Sequence, residues 1–300
     1  MSINMNSILT TKFISNKNDF AGRQWFYNFR ELPQYVDDVN LQEFIQSLST
    51  RYSKITKLWD KDKNSEWLCR IYLSAKMIMT ATLQLTALAY ADEKNLRLVS
   101  PYLEYYSLLS LLRGIVYTIP EVEWNQGKLV EISHSKAINI ACDHVSNFDI
   151  ELASDLKAKI LRAKAFRELI SYRAPSSGDA NIQSLNDLLV TATLLAEIAQ
   201  FNSEIIESSI QKKADRQSFE FLNEYILDLT YINIENVNFF DEADHYRLDY
   251  LRRKYPVPPN ILHIMTEGHV EDFFGAWTTK EEIDDVFDPD KNWQLIFDIP

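Results

Sequence analysis

From Asn64 to Ala91 the chain holds no glycine and no proline, and from Met77 to Tyr90 apolar residues fall on nearly every side of a helical projection. A segment with no polar stripe to turn towards water predicts a helix at the centre of a bundle. Thr and Gln interrupt the run, and it is too short to span a bilayer. Asn64 is a suitable N-cap, and Glu66 is well placed against the helix dipole.

The rest of the sequence agrees with helix. Of 300 residues only six are glycine, which argues against an all-β protein rich in tight turns, and 46% are hydrophobic, enough for a sizeable core. Leu41 to Trp59 repeats apolar residues at helical spacing. Ser100-Pro101 opens a third helix that Gly114 weakens and Pro120 ends. Residues 119–133 read as a loop or hairpin anchored by Val122, Trp124, Leu129 and Ile132. Helices are expected from Ser135 to Val145, from Asp155 to Tyr172, from Ser184 to about Lys213 and from Ser218 to Ile232. Ser184 with Asp187 serves as the start signal of the third of these.

Tyr255-Pro256-Val257-Pro258-Pro259 is a rigid break and the expected boundary of the bundle. Thr278 to Glu282 offers capping boxes for a last short helix. The net charge is −12, and residues 267–300, with ten acids against Lys280 and Lys291, supply −8 of it. The expected architecture is all-α: an irregular N-terminal arm over residues 1–40, a helical bundle over 41–254, and a small acidic C-terminal region over 255–300. Its residues 267–300 are expected to be a solvated tail, with seating in a basic groove of this chain or of a partner as the alternative, and their removal should leave the bundle folded.

Cys69 and Cys142 lie among apolar neighbours and read as buried free thiols. Met1 to Asp19 is polar and lacks the apolar core of a secretory signal, so a cytoplasmic protein is expected. A Gly-rich phosphate loop, a Gly-x-Ser-x-Gly elbow and a His-Glu-x-x-His helix are all missing, and no cofactor is implied. Asp143-His144 reads as a solvated polar face. Glu131-x-x-His134 and Glu242-x-x-His245 have the spacing used by di-metal carboxylate bundles, with Glu104 and Glu197 as further ligands by type only. The first unit stands in or beside a loop, where that geometry fails, so no metal is expected.

Chemically able residues recur mainly between 99 and 173. The tyrosine-rich helix Tyr102-Leu103-Glu104-Tyr105-Tyr106 comes first and Ser133-His134 follows. A basic run then ends in Arg167-Glu168-Leu169-Ile170-Ser171-Tyr172-Arg173. This order, over about residues 64–210, resembles the HEPN superfamily of helical bundles, in particular its YaaC-like members. The resemblance implies a bundle that dimerises and acts on RNA or a protein partner, in bacterial stress response or antiphage defence. Nuclease members carry an arginine followed, after four to six residues, by a histidine. No arginine of this chain has one. The nearest approach is Arg167 with Tyr172, and an ordinary tyrosine does not trade protons at neutral pH. The expected function is therefore RNA or partner binding without efficient catalysis. The first alternative is an atypical metal-independent endoribonuclease using Arg167, Tyr172 and His134, and the second is a di-metal enzyme. Lys157, Arg162, Lys164 and Arg173 are the candidate RNA contacts, although the bases wrap the helix rather than forming one ridge. Tyr105 and Tyr106 are candidates for a dimer or partner surface, with completion of the core as the competing reading.

Overall fold

The computed structural model describes residues 19–20, 23–24, 26–178, 187–279 and 286–299. Among these the chain is an all-α multi-helix bundle. A minimal antiparallel pair, β1 (Asp19–Phe20) and β2 (Arg23–Gln24), leads into α1 (Leu32–Tyr35). The body follows as α2 (Asp38–Thr56), α3 (Lys61–Glu93), α4 (Ser100–Tyr117), α5 (His134–Val145), α6 (Ile150–Arg173) and α7 (Leu188–Lys213). Then come α8 (Asn223–Thr230), an antiparallel hairpin of β3 (Tyr231–Ile234) and β4 (Val237–Phe240), α9 (Glu242–Lys254), α10 (Ile261–Ile264), a π-turn (Met265–His269) and α11 (Val270–Gly275).

Local chemistry sets the helix starts. Asp37, Asp60, Ser133, Asp149 and Asp241 each accept a backbone N–H of the first turn from the N-cap position. The helix expected from Asn64 begins earlier, at Lys61, capped by Asp60. Asn64 does other work: it is buried, and its amide donates to the carbonyls of Glu220 and Pro256, both at 2.9 Å. The more deeply buried half of α3 is its N-terminal one, where Trp67, Leu68, Ile71 and Tyr72 are closed off and Trp67 donates to Pro259 O at 3.0 Å. Leu83, in the half that looks apolar all round, is only half-buried.

α7 is buried along nearly its whole length, polar residues included. Its Glu197 carboxylate accepts the N–H groups of Arg30, Glu31 and Leu32 at 2.7–2.9 Å. Asn202 accepts from the Tyr52 hydroxyl at 2.7 Å and donates to Thr118 O at 2.6 Å. Ser203 and Gln200 accept the N–H groups of Ile261 and Leu262, and Glu207 accepts from the Asn260 amide. One helix thus holds the entry of the chain, α2, the end of α4 and the segment after the proline break.

The expected boundary at the proline run is corrected here: Ile261, Leu262, Phe274, Ile296 and Phe297 lie in the same core as α3 and α7. As far as it is described, the irregular N-terminal arm packs over the body, since Tyr27, Phe29 and Leu32 are buried and Tyr27 packs on Phe297 at 4.6 Å. A second correction concerns Ser218 to Ile232, which divides into α8 and the first strand of the hairpin. The hairpin turns at Glu235 and Asn236, with φ of 50° and 66°. That left-handed pair is usually marked by glycine, and here no glycine marks it. Ser184, the capping boxes after Thr279 and residues 1–18 lie outside the described residues.

Phe297→Ala should cost about 3–5 kcal/mol in urea unfolding, the range for a buried aromatic. A loss under about 1 kcal/mol would restore the dispensable tail.

The core also titrates. Burial raises Glu204 and Glu207 to about 8 each, while it lowers His263 and His269 to about 3 and His144 to about 4. The two glutamates bind more protons folded than unfolded between pH 4.5 and about 8, so their contribution falls as pH rises through that window. The histidines bind fewer, so theirs falls as pH drops below 6.5. Stability should peak near pH 6 and decline towards 8. Glu204→Gln should flatten the alkaline limb; an unchanged limb in that variant would remove Glu204 as its cause.

Candidate anion site at the corner of three helices

α4, α5 and α6 meet at a corner that gathers five of the residues singled out in the sequence: Tyr105, Tyr106, His134, Lys164 and Arg167. Ser133 caps α5, so His134 is its first residue and sits at the positive end of the helix dipole. The Tyr105 hydroxyl lies 2.9 Å from His134 Nδ1. The Arg167 guanidinium stands over the Tyr105 ring, 5.2 Å from its centroid. Tyr106 meets the imidazole edge-on at 5.9 Å. These contacts follow from helix geometry: Tyr105 faces inward from α4, and Arg167 reaches back along α6 onto it.

His134 is half-buried, and its pKa is pushed down by burial first and then by the positive charges of Arg113, Arg167 and Lys164. Three cations thus converge on one imidazole. The carboxylate seen near them is Glu168, at 3.5 Å from Arg167 and 3.8 Å from Lys164, loose distances for ion pairs. Arg113 donates to Ile132 O at 3.3 Å. The Nε groups of Arg113 and Arg167 are buried with no partner among the described residues. A neutral imidazole that accepts the Tyr105 proton on Nδ1 carries its own proton on Nε2 and can donate it. The corner therefore offers several cationic or neutral N–H donors and a helix N-terminus, the groups that bind a phosphate.

The other nominated residues go elsewhere. Tyr172 is 75% exposed in the last turn of α6, and Arg173 beside it is exposed too. Lys157 lies near Cys142 on α5, close enough for its charge to oppose the burial that raises that thiol. Arg162 stacks on Phe166. Lys164 alone of the four proposed RNA contacts joins the corner. Tyr105 is fully buried and completes the core, which corrects its assignment to a partner surface; Tyr106 is half-buried. His144 also departs from expectation, being buried against Phe44 and Phe148. Arg113 carries no sequence signal, because it stands alone at the polar edge of an apolar helix.

The di-metal alternative is not assembled. Glu197 spends its carboxylate on three backbone N–H groups, and His134 Nδ1 is taken by Tyr105. Among the described residues no group of three or more His, Cys, Asp or Glu side chains is placed to hold a metal ion. Cys69 and Cys142 are free and buried. α3 alone among the described helices is long and apolar enough to cross a bilayer, and 67% of its most apolar stretch is buried within the bundle. No protein-family model, curated protein or solved structure matches this chain.

Proposed function

We propose that this chain is a HEPN-like helical module that binds RNA through its phosphates at the α4–α5–α6 corner, without efficient cleavage. The observation that supports the reading is the convergence of Arg113, Lys164 and Arg167 on His134 in a chain whose net charge is −12. A positive site kept against that overall charge suits an anionic ligand. The order of helices that resembles HEPN proteins supplies the RNA and the stress or antiphage setting; the corner supplies the donors.

The limit on catalysis is electrostatic. Hydrolysis or transesterification of a phosphodiester needs one group to take a proton and another to give one. His134 can take a proton, but burial first and then its cationic neighbours disfavour its charged form. The second group is poor, because burial raises the Tyr105 hydroxyl above its ordinary value despite Arg167. The endoribonuclease alternative rests on this same His134–Arg167 pair, drawn from two helices rather than from one motif, and leaves Tyr172 aside.

A fluorescent single-stranded RNA oligonucleotide should bind with an affinity that falls with salt. Lys164→Ala/Arg167→Ala should weaken binding at least tenfold and reduce the slope of log affinity against log salt by about 0.7 for each phosphate no longer neutralised. Total RNA incubated with the protein and a chelator should stay largely intact. Unchanged affinity and slope in the double variant would overturn the binding site; rapid cleavage abolished by His134→Ala would replace the binding reading with the nuclease one.

A further inference from the structure

A cavity of about 960 Å³ opens where α3, the start of α9, the π-turn and α11 come together. Its size is that of a small-molecule site. Five carboxylates line it (Asp241, Glu242, Asp244, Glu271 and Asp272) against two cations, Lys76 and Arg247. Lys76 pairs with Asp244, which also accepts from the Tyr72 hydroxyl at 2.8 Å, and Arg247 pairs with Asp272. Glu242 and Glu271 are exposed on the rim, and Asp241, besides capping α9, has among the described residues no ion pair closer than Lys76 at 3.8 Å. Negative charge is therefore in excess at the mouth. The walls are aromatic: Trp277 and Tyr246 are 59% and 60% exposed, with Phe273 half-buried beside them.

The floor carries the independent observation. His269 lines the cavity, is only 5% exposed, and stacks on Tyr72 at 4.7 Å. Neither of its ring nitrogens has a hydrogen-bonding partner among the described residues. A buried polar side chain without a partner costs stability, and a ligand N–H is one group that completes it. The backbone beneath is also irregular: His269 ends the π-turn, and Gly268 before it stands at φ +69°, a conformation that suits glycine. Single π-turns concentrate at functional sites because they displace side chains from the regular helical positions.

We infer that this cavity binds a small planar organic cation, an amidinium or guanidinium, with its charge between the rim carboxylates, its face on Trp277 and an N–H directed at His269. Aromatic faces attract cations and carboxylates pair with them, and an imidazole lone pair completes the set by accepting a hydrogen bond. Burial and the charges of Arg247 and Lys76 keep His269 uncharged at neutral pH, so the ring accepts a proton donor without repelling a cation. The site shares no residue with the α4–α5–α6 corner.

Benzamidine is the probe, and its neutral near-isostere benzamide is the control. Isothermal titration of the intact protein should show saturable one-site binding of benzamidine and at least tenfold weaker binding of benzamide. Glu242→Gln/Glu271→Gln and Trp277→Ala change exposed residues and should leave the fold intact, each weakening benzamidine about tenfold. His269→Phe should melt no lower than wild type and lose benzamidine affinity, the signature of a residue kept for a ligand rather than for the core. Absence of saturable benzamidine binding, equal binding of benzamide, or unchanged affinity in both surface variants would overturn the inference.

Discussion

The structure depends on a buried polar face. α7 carries Glu197, Gln200, Asn202, Ser203, Glu204 and Glu207 into the interior, where a polar group left without a partner is costly. Most are satisfied by segments distant in sequence: the backbone at 30–32, Tyr52, Thr118 and the chain at 260–262. The hydrophobic effect brings α3, α4 and α7 together without direction. The hydrogen bonds of α7 then decide which segment lies where, and tie residues 30–32 and 260–262 into one core.

That arrangement leaves α5 and α6 at the periphery. α6 buries only Ala153, Leu156, Ile160 and Ala163 and turns its remaining surface outward or towards the corner with α4. The basic cluster arises where this thinly buried helix crosses the outer edge of a deeply buried one. Tyr105 belongs to both settings, since its ring finishes the core while its hydroxyl orients His134. The corner is thus fixed by the packing beneath it, which suits a binding site that must hold several donors in place.

Much of the helical framework was legible because its signals are local. Ser100-Pro101 and the apolar spacing of residues 41–59 place α4 and α2 within a few residues, and α5 begins one residue before the expected Ser135. Arg167 and His134 stood out by chemical type, and the structure brings them onto the same tyrosine. Tyr172 was nominated by spacing alone, and its position in the last turn of α6 points it into solvent. The docking of residues 26–40 and 255–299 was not legible, since it rests on α7 side chains that read in sequence as an ordinary polar stripe. The hairpin escaped because its left-handed turn uses Glu235-Asn236. The cavity floored by His269 is formed by α3, α9 and the turn before α11, which no local pattern connects.

The proposed phosphate binding at the corner rests on three cations near His134, whose pKa is lowered by burial and then by their charge. The direct test is the titration of the His134 imidazole by NMR, with and without a single-stranded RNA oligonucleotide. The free protein should show a pKa below the ordinary 6.5, and bound RNA should raise it, because phosphate charge offsets Arg113, Lys164 and Arg167. A free-protein pKa at or above 6.5, or one that stays put while RNA binds, would contradict it.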